Sequence, residues 1–300
     1  MPDERAPRAD SPYLTARQAA AYLQLNEKTL YALVQDGTVP ATKVTGKWLF
    51  PRQLLDEWLI AHAHGGALAD RLLIAGSDDP LLAAACTALA VQCKEESLVA
   101  LSPTGSELGL ALLARRKVNV AGIHWGLAET SAATHHELVR RFAGREEWAI
   151  VRLGLREQGV MLASGRSTGS LADLAIPETR WAVRQGGAGS QHFFGLMLHE
   201  HGIARQAVHA RETAYSERHA ASLVARGAVD CAPGVRAAAS EFNLGFLALG
   251  WEAFDLVLPR EVYFRTLFQS LVALLASAPM RALASDLGGY DLSSLGRLVS

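Results

Sequence analysis

The first sixty residues and the rest of the chain carry two different hydrophobic rhythms. Near the start, Thr15 and Gln18 have the S/T-x-x-E/Q spacing in which two side chains satisfy free backbone N–H groups at a helix start. Ala19, Ala20 and Leu23 then give that helix one apolar side. A turn through Leu25 reaches a second cap at Asn26. The helix it opens has Leu30, Leu33 and Val34 as its stripe, and Gly37 supplies a left-handed stop. Lys28, Tyr31 and Gln35 are left on the opposite face. Residues 42–44 and 48–50 are short β-like runs joined through Thr45, Gly46 and Lys47, which predicts a hairpin. Pro51 suits the first turn of a third helix over 52–59, whose Leu54, Leu55, Trp58 and Leu59 are expected to close a small core.

Residues 62–69 are small, glycine-bearing and weakly patterned, as in a linker. Beyond them β-like runs at 72–75, 98–101, 118–123 and 148–153 alternate with helix-like runs at 80–93, 106–116 and 134–142. The chain crosses through 154–159 into a second series: runs at 160–163, 180–184, 207–212 and 229–232, with helices at 189–201, 217–226 and 235–242. Runs at 245–249 and 255–258 read as the return, followed by a helix over 263–276. This alternation predicts an α/β fold with a parallel sheet and helices on both faces. The expected organisation is a tail over 1–12, a small domain over 13–61, the linker, and a two-lobed domain over 70–300. Lobe 1 takes about 70–155 and 250–300, and lobe 2 about 156–249.

Composition narrows the function classes. Half the residues are apolar, a fifth are charged and the net charge is −1, which excludes a polybasic binder. Any nucleic-acid contact must come from a local patch, and Arg17, Lys28, Lys43, Lys47 and Arg52 cluster on the first turn, the second helix and the hairpin. The three cysteines form no C-x-x-C, and no stretch reaches the length of a membrane span. The first ten residues lack a hydrophobic run, so a reduced, cytoplasmic setting without an export signal is expected. His199 with His201, and His135 with His136, have the wrong helical spacing for a shared metal. Cys231, Trp251 and Phe254 read as core residues. No nucleophile elbow, phosphate loop or dinucleotide fingerprint occurs, so no catalytic residue, metal or built-in cofactor is expected.

In open α/β sheets ligands bind beyond the carboxyl ends of strands. There the loops carry Gly76, Ser77 and Asp78; Ser102, Thr104, Gly105 and Ser106; and Gly186, Gly187, Gly189 and Ser190, each group just before a helix. Three helix N-termini are thereby offered to an anion between the lobes, although the same residue types also make ordinary helix starts and turns. Arg156 and Arg184 can hold an oxyanion or be ion-paired, and His124 can reach the cleft or lie satisfied in the core.

Two resemblances add to this reading. The T-x-x-x-A-A-x-x-L helix, the glycine-ended second helix and G-K-W-x-F-P (46–51) resemble the excisionase-type winged helix-turn-helix. This implies binding to double-stranded DNA, with Arg17, Asn26, Lys28, Thr29, Tyr31, Lys43, Lys47, Trp48 and Arg52 as contact residues; a protein-docking module is the alternative. The remainder is similar to the type II periplasmic-binding-protein fold, especially the molybdate-binding-like domain that bacteria attach to helix-turn-helix modules. The marks are A-G-S-x-D-P (75–80), V-A-G-I-H (120–124), R-E-Q-G (156–159), R-Q-x-G-x-G (184–189), F-D-L-V-L-P-R-E (254–261) and G-G-Y-D (288–291). The resemblance implies a ligand site from Ser77, Asp78, Thr104, Gly105, Ser106, His124, Arg156, Arg184, Gly189, Ser190 and Gln191. Gln191 stands where the family has an arginine, and Asp78 where relatives often have a neutral or basic group; both lower the positive charge. The expected function is a ligand-responsive regulator of transcription, a homodimer with molybdate, tungstate, another oxyanion or a pterin-type ligand as effector. The alternatives are a solute-binding transport component and an enzyme on the same two-lobed fold.

Overall fold

The computed structural model describes residues 11–62, 71–142 and 147–299. The expected tail through residue 10 and the linker from residue 63 lie outside them. The chain divides into two compact units, one up to residue 69 and one from residue 70 onward.

The first unit runs β1 (Tyr13–Thr15), α1 (Ala16–Tyr22), α2 (Glu27–Gln35), β2 (Thr42–Val44), β3 (Lys47–Pro51) and α3 (Arg52–His62). Thr15 and Gln18 form the reciprocal capping box of α1, Asn26 caps α2, and Gly37 has φ +65. The hairpin pairs Lys43 with Trp48. β1, too short to read from its sequence, adds a third strand beside β3. The core is Ala19, Ala20, Leu30, Val39, Phe50 and Leu55. Leu54 and Leu59, expected inside, are 44% and 41% exposed. A single turn of α3 reaches inward through Leu55 and Trp58, whose indole N–H donates to the Thr38 carbonyl at 2.6 Å; Leu54 and Leu59 fall to either side of that contact.

The second unit contains β4 (Arg71–Gly76), α4 (Pro80–Cys93), β5 (Leu98–Pro103), α5 (Ser106–Ala114), β6 (Val120–Ile123), α6 (Ser131–Arg140) and β7 (Trp148–Leu162). β8 (Trp181–Arg184), α7 (Gly189–Glu200), β9 (Ala210–Ala214), α8 (Glu217–Ala225), β10 (Cys231–Val235) and α9 (Arg236–Glu241) follow. The chain returns through β11 (Gly245–Pro259), α10 (Arg260–Tyr263), α11 (Thr266–Leu275), α12 (Ala278–Leu287) and β12 (Tyr290–Asp291). Nine strands form one sheet, β5-β4-β6-β11-β7-β10-β8-β9 with β12 beside β7.

The sheet is mixed rather than all-parallel. The runs read separately at 148–153 and 160–163 are one strand, β7, and those at 245–249 and 255–258 are one strand, β11. Each is fifteen residues long, and the two pair antiparallel along their length. Parallel strands β4, β5 and β6 build lobe 1 on one end of this ribbon; β8, β9 and β10 build lobe 2 on the other. Each lobe buries two apolar layers, one on each face of the sheet. The expected helix over 263–276 is α11, preceded by the short α10, and α12 follows as a further helix. Among the described residues no single helix is long and apolar enough to cross a membrane; α11 and α12 would pass only as a pair, bent by 55°.

Candidate functional site

On the first unit Arg17, Lys28, Tyr31, Lys43, Lys47 and Arg52 are exposed and Trp48 is half-buried. The Lys43 ammonium lies 5.6 Å from the centre of the Trp48 ring, and the Arg52 guanidinium lies 5.1 Å from that of Tyr22. Asn26 and Thr29 serve the start of α2: the Asn26 side-chain Oδ1 accepts from the Thr29 N–H at 2.8 Å and from its hydroxyl at 2.9 Å. Positive charge on a helix face and on a hairpin is what phosphate contact needs, and hydrated cations there release counterions when they meet a duplex.

In the second unit the expected ligand residues gather where the lobes meet on the ribbon. Arg156 of β7 and Glu252 of β11 are cross-strand partners. Both are buried, and Arg156 Nε donates to Glu252 at 3.0 Å. The other arm of Arg156 donates to Asp79 at 3.0 Å and to the Asp78 carbonyl at 3.1 Å, while its plane lies 4.1 Å from the Phe254 ring centre. His124 pairs with the second Glu252 oxygen through Nδ1, and the Tyr290 hydroxyl donates to Asp79 at 2.9 Å. In lobe 2 Arg184 meets Glu217 at 2.7 Å, Ser190 bonds the same Glu217 oxygen, and Gln158 donates to Ser190 at 3.3 Å. Gln158 also hydrogen-bonds Glu252, so one connected polar network runs from Tyr290 to Arg184 through both lobes.

The lobes also touch directly. The Arg218 N–H donates to Asp78 at 3.1 Å, and its guanidinium donates to the Pro80 carbonyl at 3.3 Å. The Glu107 N–H donates to the Gly187 carbonyl at 3.2 Å, and Trp125 stacks on His192 with ring centres 4.3 Å apart. Gly189 packs so tightly on His124 that a Cβ would stand 2.1 Å from the His124 carbonyl oxygen.

Two of the three helix starts expected to face an anion, those of α4 and α5, are supplied with protein groups, and that of α7 has no side-chain cap. Asp79 caps α4 by accepting from Leu82 N–H at 2.7 Å, and the first turn of α5 meets Gly187. The Ser77, Thr104 and Gly105 N–H groups donate to Gly122 and Gly76 carbonyls. The Ser106 hydroxyl donates to the His124 carbonyl at 3.1 Å. Gln191 turns back to its own lobe, accepting from the Arg184 N–H at 2.8 Å.

Residues 13–63 match the helix-turn-helix domain family, and residues 89–276, well over half the chain, match the PBP superfamily domain. The chain belongs to the PBP superfamily. Its N-terminal unit is an excisionase-type helix-turn-helix domain, and the pairing is that of a ligand-binding, DNA-binding regulator. An uncharacterized protein in the ferredoxin 2Fe-2S gene 5′ region of Clostridium pasteurianum is 33% identical over 87 residues, covering 29% of this chain and 77% of that protein. Two solved structures share the fold. A phosphate-bound substrate-binding protein from Clostridium perfringens aligns with TM-score 0.54 at 11% identity, over 74% of this chain and 100% of its own. An H2O2-bound cysteine-to-serine mutant of OxyR from Corynebacterium glutamicum aligns with TM-score 0.51 at 14% identity, over 94% of each chain.

Within the PBP domain the carboxylates are what the sequence reading missed. Burial pushes the Glu252 carboxyl up, yet His124 and Arg156 beside it hold it below the ordinary glutamate value. Burial draws the Arg156 guanidinium down, and Glu252, Asp79 and Glu217 more than restore it. The Tyr290 phenol is raised by burial and by Asp79. Acids in the middle of an apolar strand, as Glu252 and Asp255 are in β11, were the available signal, since a charge there demands a partner. Trp251, read as core, is 38% exposed, because the alternation of β11 turns it away from the buried Glu252. Phe254 and Cys231 are fully buried.

Proposed function

We propose that this chain is a transcription regulator that works in the cytoplasm as a homodimer, with a small polar effector taken between the lobes of the PBP domain governing how the helix-turn-helix units engage double-stranded DNA. The observation that carries the reading is the Arg156–Glu252 pair. It sits on the ribbon shared by both lobes and is tied to His124 and Asp79, so a ligand that engages it acts on both lobes at once. A chain that joins such a cleft to a DNA-binding unit has both an input and an output. In the output unit, Lys28, Thr29 and Tyr31 approach base edges while Lys43, Lys47 and Arg52 hold phosphates. A symmetric pair of units reads two half-sites and so offsets the modest positive charge of one.

The chemistry of the effector follows from the charges it meets. A molybdate- or tungstate-type oxyanion needs donors left over after the internal pairing, and the arginines of this cleft are engaged with carboxylates. A transport role would use the same cleft but leaves the DNA-binding unit without a task. Selection of duplexes from a random pool by the full chain, followed by titration at fixed salt, tests the proposal: enrichment of a two-fold symmetric sequence is expected, and failure to enrich any sequence would overturn it.

A further inference from the structure

We propose that the effector presents a nitrogen donor, an ammonium, guanidinium or ring-amino group, to Glu217, and that the cleft disfavours dianionic oxyanions. The inference rests on the effector reading above and names its ligand chemistry.

Four buried carboxylates, Asp78, Asp79, Glu217 and Glu252, meet the three guanidinium groups of Arg156, Arg184 and Arg218. Three helix starts beside the seam are already served from within: Asp79 caps α4, Asp78 accepts from the first turn of α8, and the Gly187 carbonyl accepts from that of α5. A dianion entering beside Glu252 and Glu217 would meet like charge in a site that excludes water, where repulsion is strongest.

Among the described residues two buried acceptors near the seam lack a partner, the Gln185 amide oxygen and one oxygen of Glu217, and of these Glu217 is the carboxylate. Glu217 is fully buried, and one of its oxygens takes Arg184 and Ser190. Its other oxygen has no hydrogen-bond partner. Native proteins rarely leave a buried carboxylate oxygen so, because a lost partner there is costly. Glu217 precedes Arg218, whose N–H reaches Asp78 across the seam, and it bonds Ser190 beside Gly189, which packs on His124, so it stands at the seam. A Cβ on Gly234 would lie 2.9 Å from the unpartnered oxygen and 2.6 Å from the Met161 methyl, so only glycine leaves room for that oxygen where it stands. A donor on a ligand would complete the hydrogen bonding of Glu217 in one contact.

The test is calorimetry and thermal shift on the full chain with putrescine, L-arginine and pterin in one panel, and molybdate, tungstate and phosphate in the other. At least one nitrogen compound should bind and raise the melting temperature, with the three separating ammonium, guanidinium and ring-amino recognition. Glu217→Gln should weaken that binding about tenfold or more, the scale of a hydrogen bond to a charged group. Gly234→Ala, which keeps the carboxylate but crowds its unpartnered oxygen, should weaken it likewise. Stabilisation by an oxyanion alone, no response to any nitrogen compound, or equal binding of such a compound by both variants would each overturn the inference. Sequence selection on DNA reads the regulator proposal separately: it survives if only the ligand panel fails, and falls alone if nitrogen compounds bind but no duplex is enriched.

Discussion

The two units handle charge in opposite ways. In the helix-turn-helix unit Arg17, Lys28, Lys43, Lys47 and Arg52 stand in water around an apolar core. In the PBP domain Arg156 and Arg184 are at most 4% exposed and are gripped by carboxylates. An exposed cation costs little to keep and acts at a distance, but salt screens it. A buried ion is costly to desolvate and is tolerable only in a fixed geometry with partners on every side. The first arrangement suits a partner carrying regular charge, and the second fixes the shape of a site.

Removing a charge should therefore have unlike consequences in the two places. Arg156→Ala leaves Glu252 and Asp79 buried without their shared partner and should cost about 3–5 kcal/mol, read as a lower urea midpoint at unchanged slope. A milder change, Glu252→Gln, tests the same cluster through pH. The folded carboxyl sits below its ordinary value near 4.5, so its stabilisation is present above that pH and is lost as pH falls through the lower folded value. The variant should lose less stability than the parent between pH 7 and pH 3, and an equal loss would place the acid sensitivity elsewhere.

Smaller effects belong to the first unit. Thr15→Ala removes one half of the capping box and should cost about 1 kcal/mol, visible as earlier melting of that unit by near-ultraviolet circular dichroism of its tryptophans. Lys47→Ala should leave melting unchanged while reducing the slope of log affinity against log salt by about 0.9, the share of one phosphate contact. An unchanged slope would remove Lys47 from the DNA face and weaken the contrast itself.

How legible each part was follows from the distance over which its interactions act. The starts of α1 and α2 rest on bonds between residues three apart, so Thr15 with Gln18 and Asn26 with Thr29 could be read directly. The ribbon could not be read as two strands, since Gly154, Gly159 and Gly250 break its apolar runs, as do Arg156, Gln158 and Glu252. Those polar residues are buried only because each finds a partner, and the partners are remote: Arg156 is 96 positions from Glu252 and 77 from Asp79. Local pattern placed Arg156 and Arg184 near the junction of the lobes but left open whether they were paired. The carboxylates that pair them had no local signature beyond an acid among apolar neighbours.

The shared ribbon also sets an order of assembly during synthesis. Every strand pairing of the helix-turn-helix unit lies among residues 13–51, so that unit can close soon after it emerges. β6 has to wait for Asp255, Leu256 and Val257 of β11, which are made only after all of lobe 2. A nascent chain thus carries a finished DNA-binding unit while lobe 1 still shows an open sheet edge. Translation that stalls within lobe 2 would yield a finished helix-turn-helix unit without a complete ligand-binding domain.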